Sequence, residues 1–206
     1  MSAEAFVSLA LFALLAGLAP GPNTFMFLAA VIHSDNRRAL AQLLGVGWGL
    51  VLLASMIGFG VIGVQALSPA AYGVLRAISV AYIALVAWWI ASGRPPGKPD
   101  FHSVETGPTR LPLTFFQAAM VQWLIPTNWA VAVTAMTLHS PAHSFVEVAG
   151  VATVIAAGGM IGLMVWAGLH EGLRTFLRDP KRLHPFWLGT GGALLLATIT
   201  PLALFV

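Results

Sequence analysis

Residues 5–32 read AFVSLALFALLAGLAPGPNTFMFLAAVI, without a single Asp, Glu, Lys or Arg. A helix needs ~20 apolar residues to cross a ~30 Å hydrocarbon layer, and this run is long enough for one crossing. Its centre holds Leu18-Ala19-Pro20-Gly21-Pro22-Asn23-Thr24. Proline in a helix removes a backbone donor and clashes with the preceding turn. Two prolines around a glycine therefore predict an opened helix. Backbone groups freed at that depth must face protein or a watery cavity, since lipid cannot satisfy them. The helix restarting near Asn23 would present N–H groups and a positive dipole end, a setting suited to a carboxylate. A kink with no other role is the plainer alternative.

The rest of the chain repeats the first property. Ala39–Leu75, Ala77–Gly93, Leu111–Phe145, Val148–Leu169 and Pro185–Val206 also lack charge. A turn at Ser68-Pro69-Ala70 divides the longest stretch. The expected spans are Ala5–Ile32, Leu40–Leu67, Tyr72–Ala91, Leu113–Leu138, Val146–Leu169 and Phe186–Val206. The apolar runs are continuous, without the alternation of a membrane strand, so the fold class is an all-α integral membrane protein. The composition agrees: 58% of 206 residues are hydrophobic, 8% are charged and the mean hydropathy is +0.87. So few polar side chains cannot cover a soluble exterior.

The net charge of +3 is a matter of topology and does not indicate a nucleic-acid partner. Nine of the ten Lys and Arg residues lie in alternate loops: Arg37 and Arg38; Arg94, Lys98 and Arg110; Arg174, Arg178, Lys181 and Arg182. Cytoplasmic loops collect such residues, which places both termini outside an inner, cytoplasmic membrane. The start, Met1-Ser2-Ala3-Glu4, lacks the basic region of a cleaved signal, so the first span is expected to stay. The stretch Leu169–Pro185 reads as a short amphipathic helix at the cytoplasmic face or as a solvated connector.

The Pro-rich linker 93–112 divides the chain into 1–92 and 113–206, three spans each. An odd number per half makes the halves enter the membrane from opposite sides, as in an inverted repeat. The fourth span supports this with its own break, Gln122-Trp123-Leu124-Ile125-Pro126-Thr127-Asn128. Polar groups at this depth usually face the bundle interior, and Gln122, Thr127 and Asn128 read as binding groups or as interhelical glue. Trp123 and Trp129 read as pocket walls. Trp88, Trp89, Trp166 and Trp187 fit an interfacial belt. Gly45 and Gly49 suit close helix packing or movement, and Gly158 with Gly162 and Gly189 with Ala193 and Ala197 suit packing.

Catalytic and metal chemistry find no footing. The six histidines, His33, His102, His139, His143, His170 and His184, lie in or beside loops and read as interfacial or solvated, with no metal-binding pair. There is no cysteine, hence no thiolate site. No nucleophile elbow, Walker loop or zincin motif is present, so neither enzyme activity nor a cofactor is expected.

Taken together, Pro20-Gly21-Pro22-Asn23-Thr24, Asn36-Arg37-Arg38-Ala39, Leu44-Gly45-Val46-Gly47-Trp48-Gly49, Ala81-Tyr82-Ile83-Ala84-Leu85, Phe115-Phe116, Pro126 and Leu188-Gly189 make the chain resemble the LysE/RhtB family of amino-acid exporters. The resemblance implies a six-helix secondary transporter of amino acids or similar small metabolites, driven by the proton gradient. It marks Pro20, Gly21, Pro22, Asn23, Thr24, Gln122, Trp123, Pro126, Thr127 and Asn128 as the substrate-binding region. Two positions depart from the family pattern. Ile125-Pro126-Thr127 stands where the family often has Asn-Pro-Lys, and Asn23 where Asp can follow Pro-Gly-Pro. The titratable candidates are then peripheral: Glu4, Glu147, His139 and His143 on the outer side, Glu171 and His170 on the inner. The expected partners are a small amino acid or derivative and membrane lipid, with a second copy of the chain left open. The rival reading is a non-transporting scaffold or assembly subunit.

Overall fold

The computed structural model describes residues 3–92, 113–140, 144–177, 185, 188–189 and 191–196. The linker, most of the sixth span, His102, His143, His184 and Trp187 lie outside them. The described residues are helical, with no strand among them. Seven helices are α1 (Ala3–Leu18), α2 (Pro22–His33), α3 (Asn36–Leu67), α4 (Pro69–Ala91), α5 (Phe115–Val121), α6 (Pro126–His139) and α7 (Phe145–Leu177). Residues 191–196 form a further helical piece.

Local chemistry sets the boundaries. Asp35 caps α3 by accepting from the Arg38 N–H at 3.0 Å. Ser68 ends α3, its N–H donating to the Val64 carbonyl at 2.9 Å. Its hydroxyl then accepts from Ala71 N–H at 3.2 Å, opening α4 behind Pro69. Ser68 is extended because a residue before proline avoids the helical region. Thr114 and Gln117 cap α5 reciprocally, with Thr114 N–H donating to Gln117 Oε1 at 3.0 Å.

Among the described residues, three helices are long and apolar enough to cross a membrane: Asn36–Val64, Pro69–Trp89 and Phe145–Leu169. The pair α1 and α2, bent by 63° at its break, is long and apolar enough together for one more crossing or for a re-entrant loop. The fourth sequence span is also interrupted, by the 3-10 turn Gln122–Leu124 between α5 and α6. One expectation is corrected at the other end of α7. No loop or separate helix starts at Leu169; α7 runs unbroken to Leu177. Its sequence contains no proline, and glycines are tolerated inside membrane helices.

Small residues let the backbones meet. A Cβ at Gly158 would strike the Ala13 backbone, and one at Gly162 the Gly17 backbone, so α1 lies directly on α7. Gly45 and Gly49 hold α3 in the same way against the carbonyls of Phe115 and Ala119 on α5. In the last piece Gly191 makes the close approach, to Ala87 and Ala91, whereas a side chain at Gly189 would meet open space. One apolar cluster joins Leu9 and Phe12 of α1 with Leu53, Met136, Val148 and Val151. A second joins Phe27, Leu43, Val46 and Leu50 with Ala118 and Leu163. Between the two clusters lie the helix breaks.

Candidate functional site

Both breaks end in the same local design. At the first, Gly21 is extended and precedes Pro22, the first residue of α2. At the second, Ile125 is extended and precedes Pro126, the first residue of α6. Proline suits this position because the donor it lacks would be unpaired anyway. Asn23 and Thr24 follow the first proline, and Thr127 and Asn128 the second. Each helix start thus brings first-turn N–H groups and two short polar side chains to the gap.

The gap is a cavity of about 340 Å³. Pro20, Gly21, Pro22, Asn23 and Thr24 line one side, and Ile125, Pro126, Thr127 and Asn128 another. Its remaining wall is apolar or aromatic, including Val46 and Leu50 of α3, Tyr82 and Val86 of α4 and Ile155 of α7. Among the described residues, no Asp, Glu, Lys, Arg or His lines it.

Gln122 sits behind this wall, fully buried, and ties the two breaks together. Asn23 Nδ2 donates to Gln122 Oε1 at 2.7 Å, and Gln122 Nε2 donates back to Asn23 Oδ1 at 3.0 Å. Gln122 Nε2 also donates to the Ala118 carbonyl at 3.0 Å. Asn128 Nδ2 donates to Gln122 Oε1 at 2.9 Å and to the Gln122 carbonyl at 3.2 Å. One glutamine therefore bonds both asparagines and has its own amide fully paired, as a buried amide requires. Thr24 Oγ1 accepts from Gly21 N–H at 3.4 Å.

Two tryptophans have a different place from the one expected. Trp123 does not line the cavity; its ring meets that of Trp129 edge-on, with centroids 6.2 Å apart. Trp129 Nε1–H donates to the Trp123 carbonyl at 2.8 Å. Trp166 is not exposed at an interface either. It is buried, and its Nε1–H donates to the Leu18 carbonyl at 3.0 Å. Each break frees carbonyls that lack an intrahelical donor, and at each an indole supplies one. The sequence contains no local signal for the second of these bonds, because Trp166 reaches Leu18 from α7.

His139 is a further correction. It is 1% exposed, not solvated, because α6 carries it into the junction with α1. Its Nε2 lies 3.3 Å from Ser8 Oγ, and its ring stacks on Phe12 with centroids 6.3 Å apart. Among the described residues no group of His, Asp and Glu is arranged to hold a metal ion.

Apolar helices around a cavity lined by neutral groups make the described residues those of an all-helical membrane protein. Comparison with known proteins narrows the class. The chain is 25% identical over 158 residues to the cysteine/O-acetylserine efflux protein of Escherichia coli strain K12, covering 76% of this chain and 77% of that one. The proteins of the same name from Shigella flexneri serotype 5b and Shigella sonnei match at the same identity and coverage. No family model matches the chain, and no solved structure matches it. This distant likeness is consistent with an exporter and points away from an enzyme.

Proposed function

We propose that this protein is a secondary transporter that exports a small, net-neutral amino acid or derivative across the inner membrane by alternating access. The observation that carries the reading is the uncharged cavity where the two helix starts meet. The N–H groups of the α2 start would take the substrate carboxylate. Thr127 and Asn128 would orient its polar end, and the apolar wall would take its side chain. Because no counter-charge lines the cavity, a substrate with net charge would lose its hydration without compensation. The efflux relatives carry a substrate name that fits this class.

In this reading residues 1–92 and 113–206 are inverted repeats of three spans, joined by the cytoplasmic linker 93–112, with both termini outside. The halves rock about the two breaks, and the proton gradient supplies the drive. Gly45 and Gly49, where α3 of the first half meets α5 of the second, leave a small-residue seam along which the halves would move against each other. The scaffold alternative predicts a dry, close-packed centre, and the cavity supports transport over it. No residue set supports catalysis.

The test is uptake into inverted vesicles, in which export appears as accumulation. Asn23→Ala and Pro22→Ala are expected to lower initial rates at least tenfold for every accepted substrate. Unchanged transport in both would place the binding site elsewhere.

A further inference from the structure

Among the described residues, the cavity lining holds no carboxylate or histidine, yet a titratable ring is buried nearby. His139 follows the fourth charge-free span. It stands about 12 Å along α6 from the cavity residue Val131. Beyond the lining residues Ala13 and Val131, Leu9, Phe12, Met136 and Val151 are fully buried in one apolar cluster. We read this cluster as the closure of the cavity at the end that the charge pattern assigns to the outside. His139 holds α1 to α6 at that closure through Ser8 and Phe12. Its other nitrogen, Nδ1, is buried and makes no hydrogen bond.

We propose that His139 binds a proton from the outer water at Nδ1, and that this opens the outer end of the cavity. The proposal rests on the transport reading above.

In the closed form the neutral ring keeps its proton on Nε2 and donates to Ser8, leaving a bare lone pair on Nδ1. A proton arriving at Nδ1 forms a new N–H bond and an imidazolium in apolar surroundings. Burial pushes the His139 pKa down from 6.5 to about 4, with the Ala135 carbonyl pulling the other way. Once the outer ends of α1 and α6 separate, the ring meets water and its ordinary value returns. The closed form therefore holds its full advantage above pH 6.5 and loses it as pH falls toward 4, because the open form binds the proton more tightly. When the gap closes again, the proton returns to the outer water.

The surrounding charges do not replace this group. On α1, Glu4 lies one turn before Ser8 and is exposed. On α7, the half-buried Glu147 accepts from Ser140 Oγ at 3.4 Å, next to His139 in the chain. On α4, the Tyr72 hydroxyl donates to the Thr137 carbonyl at 2.9 Å with Arg76 beside it. The charged residues at the start of α3, Arg37 and Arg38, belong to the opposite end. α5 contains none.

The chain has no cysteine, so single cysteines can report accessibility. The assay is labelling of Val131→Cys by a membrane-impermeant thiol reagent added outside right-side-out vesicles. Rates are divided by those of the exposed reference Ala3→Cys at each pH. The ratio is expected to rise tenfold or more between pH 7.5 and 5.5. His139→Gln should flatten the profile, and Ser8→Ala should shift its midpoint to higher pH by weakening the neutral closed form. If His139→Gln keeps the parental profile, or Ser8→Ala leaves the midpoint in place, the proton-gated closure is overturned and the transport reading stands. If Val131→Cys is never labelled from outside while Ala3→Cys is, both fall.

Discussion

The two breaks solve one problem by different means. The first is a wide opening around Pro20-Gly21-Pro22, and its partners come from far along the chain: Gln122 for Asn23, Trp166 for the Leu18 carbonyl. The second is a single 3-10 turn before Pro126, and Asn128 and Trp129 satisfy it from within the next two turns. The first break therefore depends on tertiary structure, whereas the second brings its own partners. A half whose opening is held chiefly by the opposite half can move when that half moves.

The largest effect should come from removing the link between them. Gln122→Leu keeps the volume but leaves the Asn23 and Asn128 amides without their shared partner. Unfolding in detergent should become easier by about 3 kcal/mol or more, and transport should be lost. Unchanged stability would mean that the breaks are independent. The two indoles come next. Trp166→Phe should cost ~1–3 kcal/mol, because the Leu18 carbonyl is left buried without a donor. Trp129→Phe should cost less, since Trp129 is 38% exposed. Equal losses in a thermal-melt comparison would contradict the distinction drawn here. The smallest effect is expected at the centre of the motif. Gly21 has φ of −161°, which any residue adopts, and a Cβ there would meet nothing within 4 Å. Gly21→Ala should change stability by no more than about 0.5 kcal/mol.

That last expectation shows where sequence reasoning reaches and where it stops. Prolines act on their own turn, so Ser68-Pro69, Pro20, Pro22 and Pro126 mark their boundaries from the sequence alone. Absence of charge likewise marks α3, α4 and α7 as crossings. Pairings between distant segments leave no comparable trace. Trp166 reads as an interfacial residue until α7 is laid on α1, and His139 reads as a loop histidine until the end of α6 is packed against Ser8. Trp123 reads as a pocket wall because depth in the span is legible but rotation about the helix axis is not. The Leu169 boundary was misplaced for a related reason: charge marks where a chain leaves lipid, and a helix need not stop there.

The full pairing of the Gln122 amide with Asn23, Asn128 and the Ala118 carbonyl has a consequence for the rhythm of transport. A substrate that draws an asparagine away from Gln122 must displace an existing hydrogen bond, so capture there is an exchange of partners with little net gain. Shallow binding of this sort suits a protein that empties a crowded compartment, where occupancy comes from concentration and the useful quality is a short residence time.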